Sequence, residues 1–334
     1  MNSRERIKTI ISGGTPDRCG FWIGNPDAKT WPIYHSYFGT KTEEDLRVKL
    51  GDDFRWICSW GYDSPAGRSP WAIPGKTAHG TAGPLANVET VEELDDCYDW
   101  PDARYATFAD TLDTLKTTGD YYRAGGFWSC FYHIVMDLFG MEQYMMKMMT
   151  HPAVVDAVTE RVGRFYYDAN ERLFAAAGSE LDAFFFGNDF GTQRSLICGP
   201  KQFDRFIMPW FKKFTDQGRR FGLQVILHSC GSIHKVIGRL IDAQVDCLHP
   251  LQAKAADMDA ETLARDFKGK IAFLGGIDTQ ELLVNGSPED IKAEVRRVKQ
   301  LLGPNLIISP SHEALLPDVP PKNVAAMAEA AVEG

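Results

Sequence analysis

From Asp182 onward the chain alternates strand and helix without a break, and this alternation limits its fold more than any other feature. Asp182–Gly187 (DAFFFG) is a short continuous apolar run that ends in glycine. Continuous rather than alternating apolarity marks a strand covered on both faces. A helix follows over Pro200–Arg220, with Phe203, Phe206, Ile207, Trp210, Phe211 and Phe214 on one face. Leu223–His228 reads as a strand and Ile233–Ala243 as a helix. Val245–His249 is the next strand, Glu261–Phe267 a short helix and Ile271–Gly275 a strand. Pro288–Leu302 is a helix with proline at its start, where a missing N–H costs nothing. Leu306–Ser309 is the last strand and Pro321–Val332 the closing helix.

Strands joined by helices with short connections form a parallel sheet with the helices outside it. Earlier strands fit at Cys19–Ile23, Phe54–Cys58 and Tyr121–Gly125, which brings the total to the eight that close a barrel. The expected fold is therefore an α/β (β/α)8 TIM barrel with an N-terminal extension, one domain over residues 1–334. An open doubly wound sheet is the alternative. It would carry a glycine-rich phosphate loop after an early strand, and neither GxGxxG nor GxxxxGK[ST] occurs. Gly61–Pro101 is rich in Gly, Pro, Trp and Asp and reads as a long loop over the C-terminal mouth.

Thirty-six basic against 45 acidic side chains leave a net charge of −9, which repels nucleic acid and anionic membranes. The start, Met-Asn-Ser-Arg-Glu-Arg-Ile-Lys, has no apolar run behind it and does not read as a signal peptide. No stretch is apolar enough to span a bilayer, so the expected location is cytoplasmic. Seven cysteines without a repeating spacing do not suggest a disulfide framework. Met145, Met146, Met148 and Met149 read as adaptable packing or, if exposed, a partner surface.

In a parallel barrel every strand ends at the same face, so the polar strand ends belong together. They are Gly187-Asn188-Asp189-Phe190-Gly191-Thr192-Gln193, His228-Ser229-Cys230-Gly231, His249, Gly275-Gly276-Ile277-Asp278 and Ser309-Pro310-Ser311-His312-Glu313. Residues i and i+2 of an extended chain face one side, so His228 and Cys230 can meet one metal ion. His312 can reach the same mouth as a third ligand, and three ligands with an open fourth position is the catalytic zinc pattern. Spacing alone tips towards a hydrogen-bonded barrel histidine and a packed thiol. Asp189 either caps the next element or works on a substrate, and Asp278 has the same two readings. His249 is a ligand, a base or a satisfied core group. Gly275-Gly276 suggests a tight turn or a close approach of backbone to ligand.

Several of these segments, with Pro200–Phe206, Pro209 and Pro317–Val324, resemble the uroporphyrinogen decarboxylase-like superfamily in order and spacing over roughly residues 160–334. Arg4–Ile10 and Pro16–Arg18 carry a looser likeness in the N-terminal half. The resemblance implies a (β/α)8 barrel and one of two activities. One branch decarboxylates a porphyrinogen without metal, gripping its carboxylates with an arginine-rich N-terminal motif. The matching stretch here, Cys19–Pro26, has no arginine, and only Arg18 lies beside it. The other branch moves a methyl group between a corrinoid (cobalamin) protein and a thiol such as coenzyme M, or a related acceptor, at a zinc site of His-x-Cys and a later Cys. His228 and Cys230 match the pair, and His312 stands in PSH where the family has PGC.

The methyltransferase branch is thus the expected one. It implies Zn2+ on His228, Cys230 and His312, with cobalamin on a partner corrinoid protein. Asp189, Asp278 and His249 are the catalytic candidates, and Asn188, Gln193 and Gly276 are candidates for substrate binding. A homodimer is common in the family it resembles. Two alternatives stand beside it: a metal-free decarboxylase or lyase using Asp189 and His228 as acid and base, and a non-catalytic corrinoid or tetrapyrrole binding protein.

Overall fold

A computed structural model describes residues 1–73 and 81–333. Its main sheet holds eight strands, all parallel: β1 (Gly20–Phe21), β2 (Phe54–Ser59), β3 (Tyr122–Phe127), β4 (Ala183–Gly187), β5 (Gln224–His228), β6 (Cys247–His249), β7 (Ala272–Ile277) and β8 (Leu306–Pro310). The pairing order is β1-β8-β7-β6-β5-β4-β3-β2. The sheet curls into the expected (β/α)8 barrel.

The alternation of side chains along each strand builds two cores at once. Inward residues Trp22, Phe54, Tyr122, Phe185, Ile226, Cys247, Leu274 and Ile307 fill the barrel. Outward residues pack under the helices. Phe185 lies 6.1 Å from Trp22 inside, while Phe186 sits 5.4 Å from Phe211 outside. This two-sided burial explains why the strand reads as an unbroken apolar run.

The helix Ser3–Ile11 closes the N-terminal end of the barrel, with Ile7, Ile10 and Ile11 packed against the inward layer. Asp53 then joins the two edge strands. Its N–H donates to the Phe21 carbonyl at 2.9 Å, and its carboxylate accepts the Phe21 N–H at 3.1 Å. The same carboxylate, fully buried, receives Arg6 at 2.7 Å and Arg18 at 2.8 Å. Arg18, the only arginine near the decarboxylase-type motif, is therefore committed at the end opposite the mouth.

The helix read over Pro200–Arg220 is present, and its aromatic face is buried as expected. It contains a π-turn at Phe203–Ile207. Pro209 has no N–H to give back to the chain, and the ladder opens just ahead of it. The helices Thr30–Phe38, Phe131–Phe139, Met141–Thr150 and Pro152–Ala177 had no counterpart in the sequence reading.

The segment after β2 starts as an antiparallel pair, Gly61–Tyr62 with Ala106–Thr107. Its described parts lean on the flanking helices, with Trp71 5.1 Å from Phe165 and the Leu85 N–H 2.8 Å from the Leu138 carbonyl. Residues 74–80 of that loop lie outside the described residues. Among the methionines, Met148 is buried, whereas Met146 and Met149 are exposed. All seven cysteines are free. No helix of the described residues is long and apolar enough to cross a membrane.

Because Asp53 neutralises two guanidiniums and seals the sheet, Asp53→Ala is expected to cost about 3–5 kcal/mol in urea unfolding. Asp53→Asn, which keeps hydrogen-bonding capacity, is expected to cost less.

Candidate functional site

Both glycines of the loops after β4 and β5 are dictated by contact. Gly231 has φ +83°, and a Cβ there would meet the Gly191 backbone at 2.3 Å. This seat presses the GNDFG loop onto the HSCG loop. Hydrogen bonds fasten it: Ser232 N–H to the Thr192 carbonyl at 2.7 Å, Phe190 N–H to Ser229 Oγ at 3.0 Å, and Cys230 N–H to Asp189 Oδ1 at 2.8 Å.

Asp189 is thereby delivered to the His-x-Cys pair. His228 Nε2 lies 3.2 Å from Asp189 Oδ1 and 3.5 Å from Cys230 Sγ. Donor atoms of Asp189, His228 and Cys230 all fall within 4.8 Å of one another. A thiol, an imidazole and a carboxylate at this separation form a set that zinc accepts.

The other nitrogen of His228 faces a second group. His228 and His249 are register partners across β5 and β6, and their Nδ1 atoms are 2.9 Å apart. Glu313 Oε2 lies 3.4 Å from His228 Nδ1. Among the described residues, His249 Nε2 and Glu313 Oε2 are buried without a hydrogen-bond partner. Burial and the charges of His228 and His312 hold His249 well below the usual histidine range, so it is neutral. His228 therefore donates from Nδ1 to His249 and turns Nε2 towards Cys230 and Asp189.

Charge is shared closely around the thiol. Burial raises the Cys230 pKa, but hydrogen bonds with His228 and His312 and the His228 charge outweigh it, and the thiol sits below its ordinary value. Burial likewise opposes ionisation of Asp189, yet the bond to His228 and the charges of His228 and His133 hold its carboxyl well below the usual range. His228 is pushed up despite its burial, chiefly by Glu313 and Asp189.

His312 does not join this compact set as a third donor. Its ring stands 6.3 Å from that of His228 at 88°, and its Nδ1 accepts the Ala314 N–H at 3.1 Å. It touches the thiol from the open side. Asp278, a catalytic candidate, acts as a cap: its carboxylate accepts the N–H groups of Gln280, Glu281 and Leu282 at 3.0–3.1 Å. Asn188, a substrate-binding candidate, is fully buried and braces the Tyr132 N–H and the Ser129 carbonyl. Gln193 is exposed, and its carbonyl accepts the Ala256 N–H. Gly276 donates its N–H to the Pro250 carbonyl at 3.1 Å.

Three neighbours escaped the sequence reading. Glu313 was in the strand-end run, and counting by twos from Ser309 lands on it and not on His312. His133, 3.8 Å from Asp189 Oδ2, comes from a helix in the less legible half. Trp128 packs its ring 5.4 Å from His228; nothing in its sequence neighbourhood announces it.

Fold and donor cluster together define a (β/α)8 barrel with a thiol–imidazole–carboxylate site at the C-terminal mouth. The chain belongs to the uroporphyrinogen decarboxylase (URO-D) family, whose model matches residues 72–334. It is similar to a solved methyltransferase from Methanosarcina mazei, at 15% identity and a TM-score of 0.68, over 99% of this chain and 98% of that one. A structure described as a vitamin-B12 independent methionine synthase from Listeria monocytogenes is also similar, at 11% identity and a TM-score of 0.45, over 96% and 99% of the two chains. No curated protein sequence matches.

Since Asp278 satisfies three backbone donors, Asp278→Ala is expected to lower stability by about 1–2 kcal/mol. In a Cys97→Ser background, the rate at which Cys230 reacts with a thiol reagent is expected to stay the same.

Proposed function

We propose that this protein transfers a methyl group between a corrinoid protein and a small-molecule thiol or related acceptor, at a zinc site built on Cys230, His228 and Asp189. The observation that carries this is the convergence of those three donors at a barrel mouth. Asp189 takes the third place that spacing assigned to His312, and His312 stays on the open side as a partner of the Cys230 thiol. Family membership and the fold shared with a protein named a methyltransferase support the reading.

When bound, zinc lowers the pKa of an acceptor thiol so that its thiolate exists at neutral pH. The chain supplies the rest. His249 and Glu313 fix the His228 ring through its Nδ1. Trp128 packs its ring against His228, tilted at 56°, and limits how that imidazole can turn. His312 bonds to the Cys230 thiol, while Asp189 accepts the Cys230 N–H; His312, which is not one of the three donors, is placed to orient the acceptor. A separate corrinoid protein would dock over the mouth. The porphyrinogen decarboxylase alternative gains nothing from Arg18, which is paired with Asp53 at the closed end.

Purified protein is expected to carry about one zinc per chain by elemental analysis, and Cys230→Ala to lose both the metal and methyl transfer from methylcob(III)alamin to a thiol. Undiminished turnover after strong chelation would favour the metal-free lyase reading, and a cobalamin spectral shift without turnover the binding-protein one. His249→Phe, which keeps the aromatic volume but removes the partner of His228 Nδ1, is expected to weaken zinc about 10–100-fold in a competition assay.

A further inference from the structure

The chain has 19 arginines, and among the described residues all but two of them pair with a carboxylate. Arg172 is held by the Ala103 and Arg104 carbonyls at 2.9 and 3.2 Å. Among the described residues, Arg194 alone keeps a guanidinium without a partner, and it is exposed. With 45 acidic side chains in the sequence, this guanidinium is not left over for want of carboxylates.

Its backbone, by contrast, is fixed. Arg194 stands in a tight turn of the connection after β4, at the barrel mouth. The Thr192 N–H donates to the Ser195 carbonyl at 2.7 Å, and Thr192 Oγ1 accepts the N–H groups of Arg194 and Ser195 at 3.2 Å. A bridge between Gly191 and Leu196 closes the base of the turn. Two neighbouring loops clamp it. The Ser232 N–H, after β5, donates to the Thr192 carbonyl at 2.7 Å, and the Ala256 N–H, after β6, donates to the Gln193 carbonyl at 2.9 Å. A charge on so firm a mount loses little freedom when a partner arrives.

Arg194 does not line the cleft that His312 shares with Gln252 and Thr279. Its charge therefore addresses what rests on the rim, and not what enters. The same connection runs on to Pro200–Gln202, where Lys201 is exposed and Gln202 Nε2 donates to Met149 Sδ at 3.2 Å. Met149 is 69% exposed and Met146 47%. Thioethers adapt to the apolar surface of a partner, and a cation on the rim of an interface selects and steers an acidic one. We propose that this sector of the rim docks the protein that carries the methyl group, and that Arg194 pairs with a carboxylate on that protein's face. This rests on the functional reading above, which supplies the carrier.

Corrinoid protein purified from the organism that encodes the chain and loaded with methylcob(III)alamin, set beside free methylcob(III)alamin, separates docking from chemistry. Arg194→Glu in the full chain is expected to weaken carrier binding about tenfold by sedimentation equilibrium and to raise KM for the carried donor by a similar factor. Transfer from free methylcob(III)alamin should stay within about twofold. Arg194→Lys, which keeps the charge, should recover most of the loss. Carrier binding should weaken with added salt, and less steeply in Arg194→Glu than in the unaltered chain. Failure of any loaded carrier to bind, unchanged carrier affinity in Arg194→Glu, or an equal loss with both donors would each overturn the proposal. The two readings fail separately. A carrier that binds through Arg194 while neither donor yields its methyl group sinks the functional reading and keeps the docking contact. Transfer from the free donor, with carrier binding indifferent to Arg194→Glu, does the reverse.

Discussion

An open parallel sheet has two free edges, and in this molecule Asp53, through its backbone N–H and its buried carboxylate, joins them. It bonds to β1 through side chain and backbone alike, and it is held by Arg6 from the helix that plugs the barrel floor. Once the sheet is sealed, every strand must end at one face, and the polar residues at those ends face each other whatever their distance in sequence. Asp189, His228, His249 and Glu313 meet because of that geometry. The closed end and the site therefore divide the chain's charged residues between two jobs. Arg6, Arg18 and Asp53 are structural, whereas the carboxylates at the mouth are left without a guanidinium.

The site itself depends on a small steric fact. Gly191 and Gly231 approach more closely than any side chain would permit, and this brings Asp189 onto Cys230. From there the polarity of one imidazole settles the arrangement. A neutral His249 accepts from His228 Nδ1, which leaves Nε2 to point at the thiol and the carboxylate. Removing the glycine contact, the neutral histidine or the carboxylate would each disturb the same atom. Such shared dependence is expected of a site whose supporting groups matter nearly as much as its donors.

Much of the fold was legible in the sequence because burial on both faces leaves a plain mark. Phe184, Phe185 and Phe186 form an unbroken run because two feed the outer core and one the inner. The helices of the second half announced themselves through proline starts and one-sided apolar faces. Those of the first half did not. Pro152–Ala177 is long and its buried stripe is broad, and the helices Phe131–Phe139 and Met141–Thr150 are parted by the single residue Gly140, too short a break to mark two helices. At the site, His228, Cys230 and Asp189 were within reach of strand-end reasoning. Asp278 carries both readings in the sequence because a capping acid and a catalytic acid look alike there, and the structure shows its carboxylate capping Gln280, Glu281 and Leu282. Spacing brings His312 to the mouth but says nothing of which atom faces inward, and in the structure the compact donor set holds Asp189 beside His228 and Cys230. Glu313 and Trp128 belong to the site through side-chain direction alone.

The central claim is that Cys230, His228 and Asp189 act as one donor set for zinc. X-ray absorption at the zinc edge of the metal-loaded protein addresses it directly. The expected spectrum contains a single sulfur scatterer at about 2.3 Å alongside nitrogen and oxygen at about 2.0–2.2 Å. A shell of nitrogen and oxygen only, with no sulfur, would contradict it.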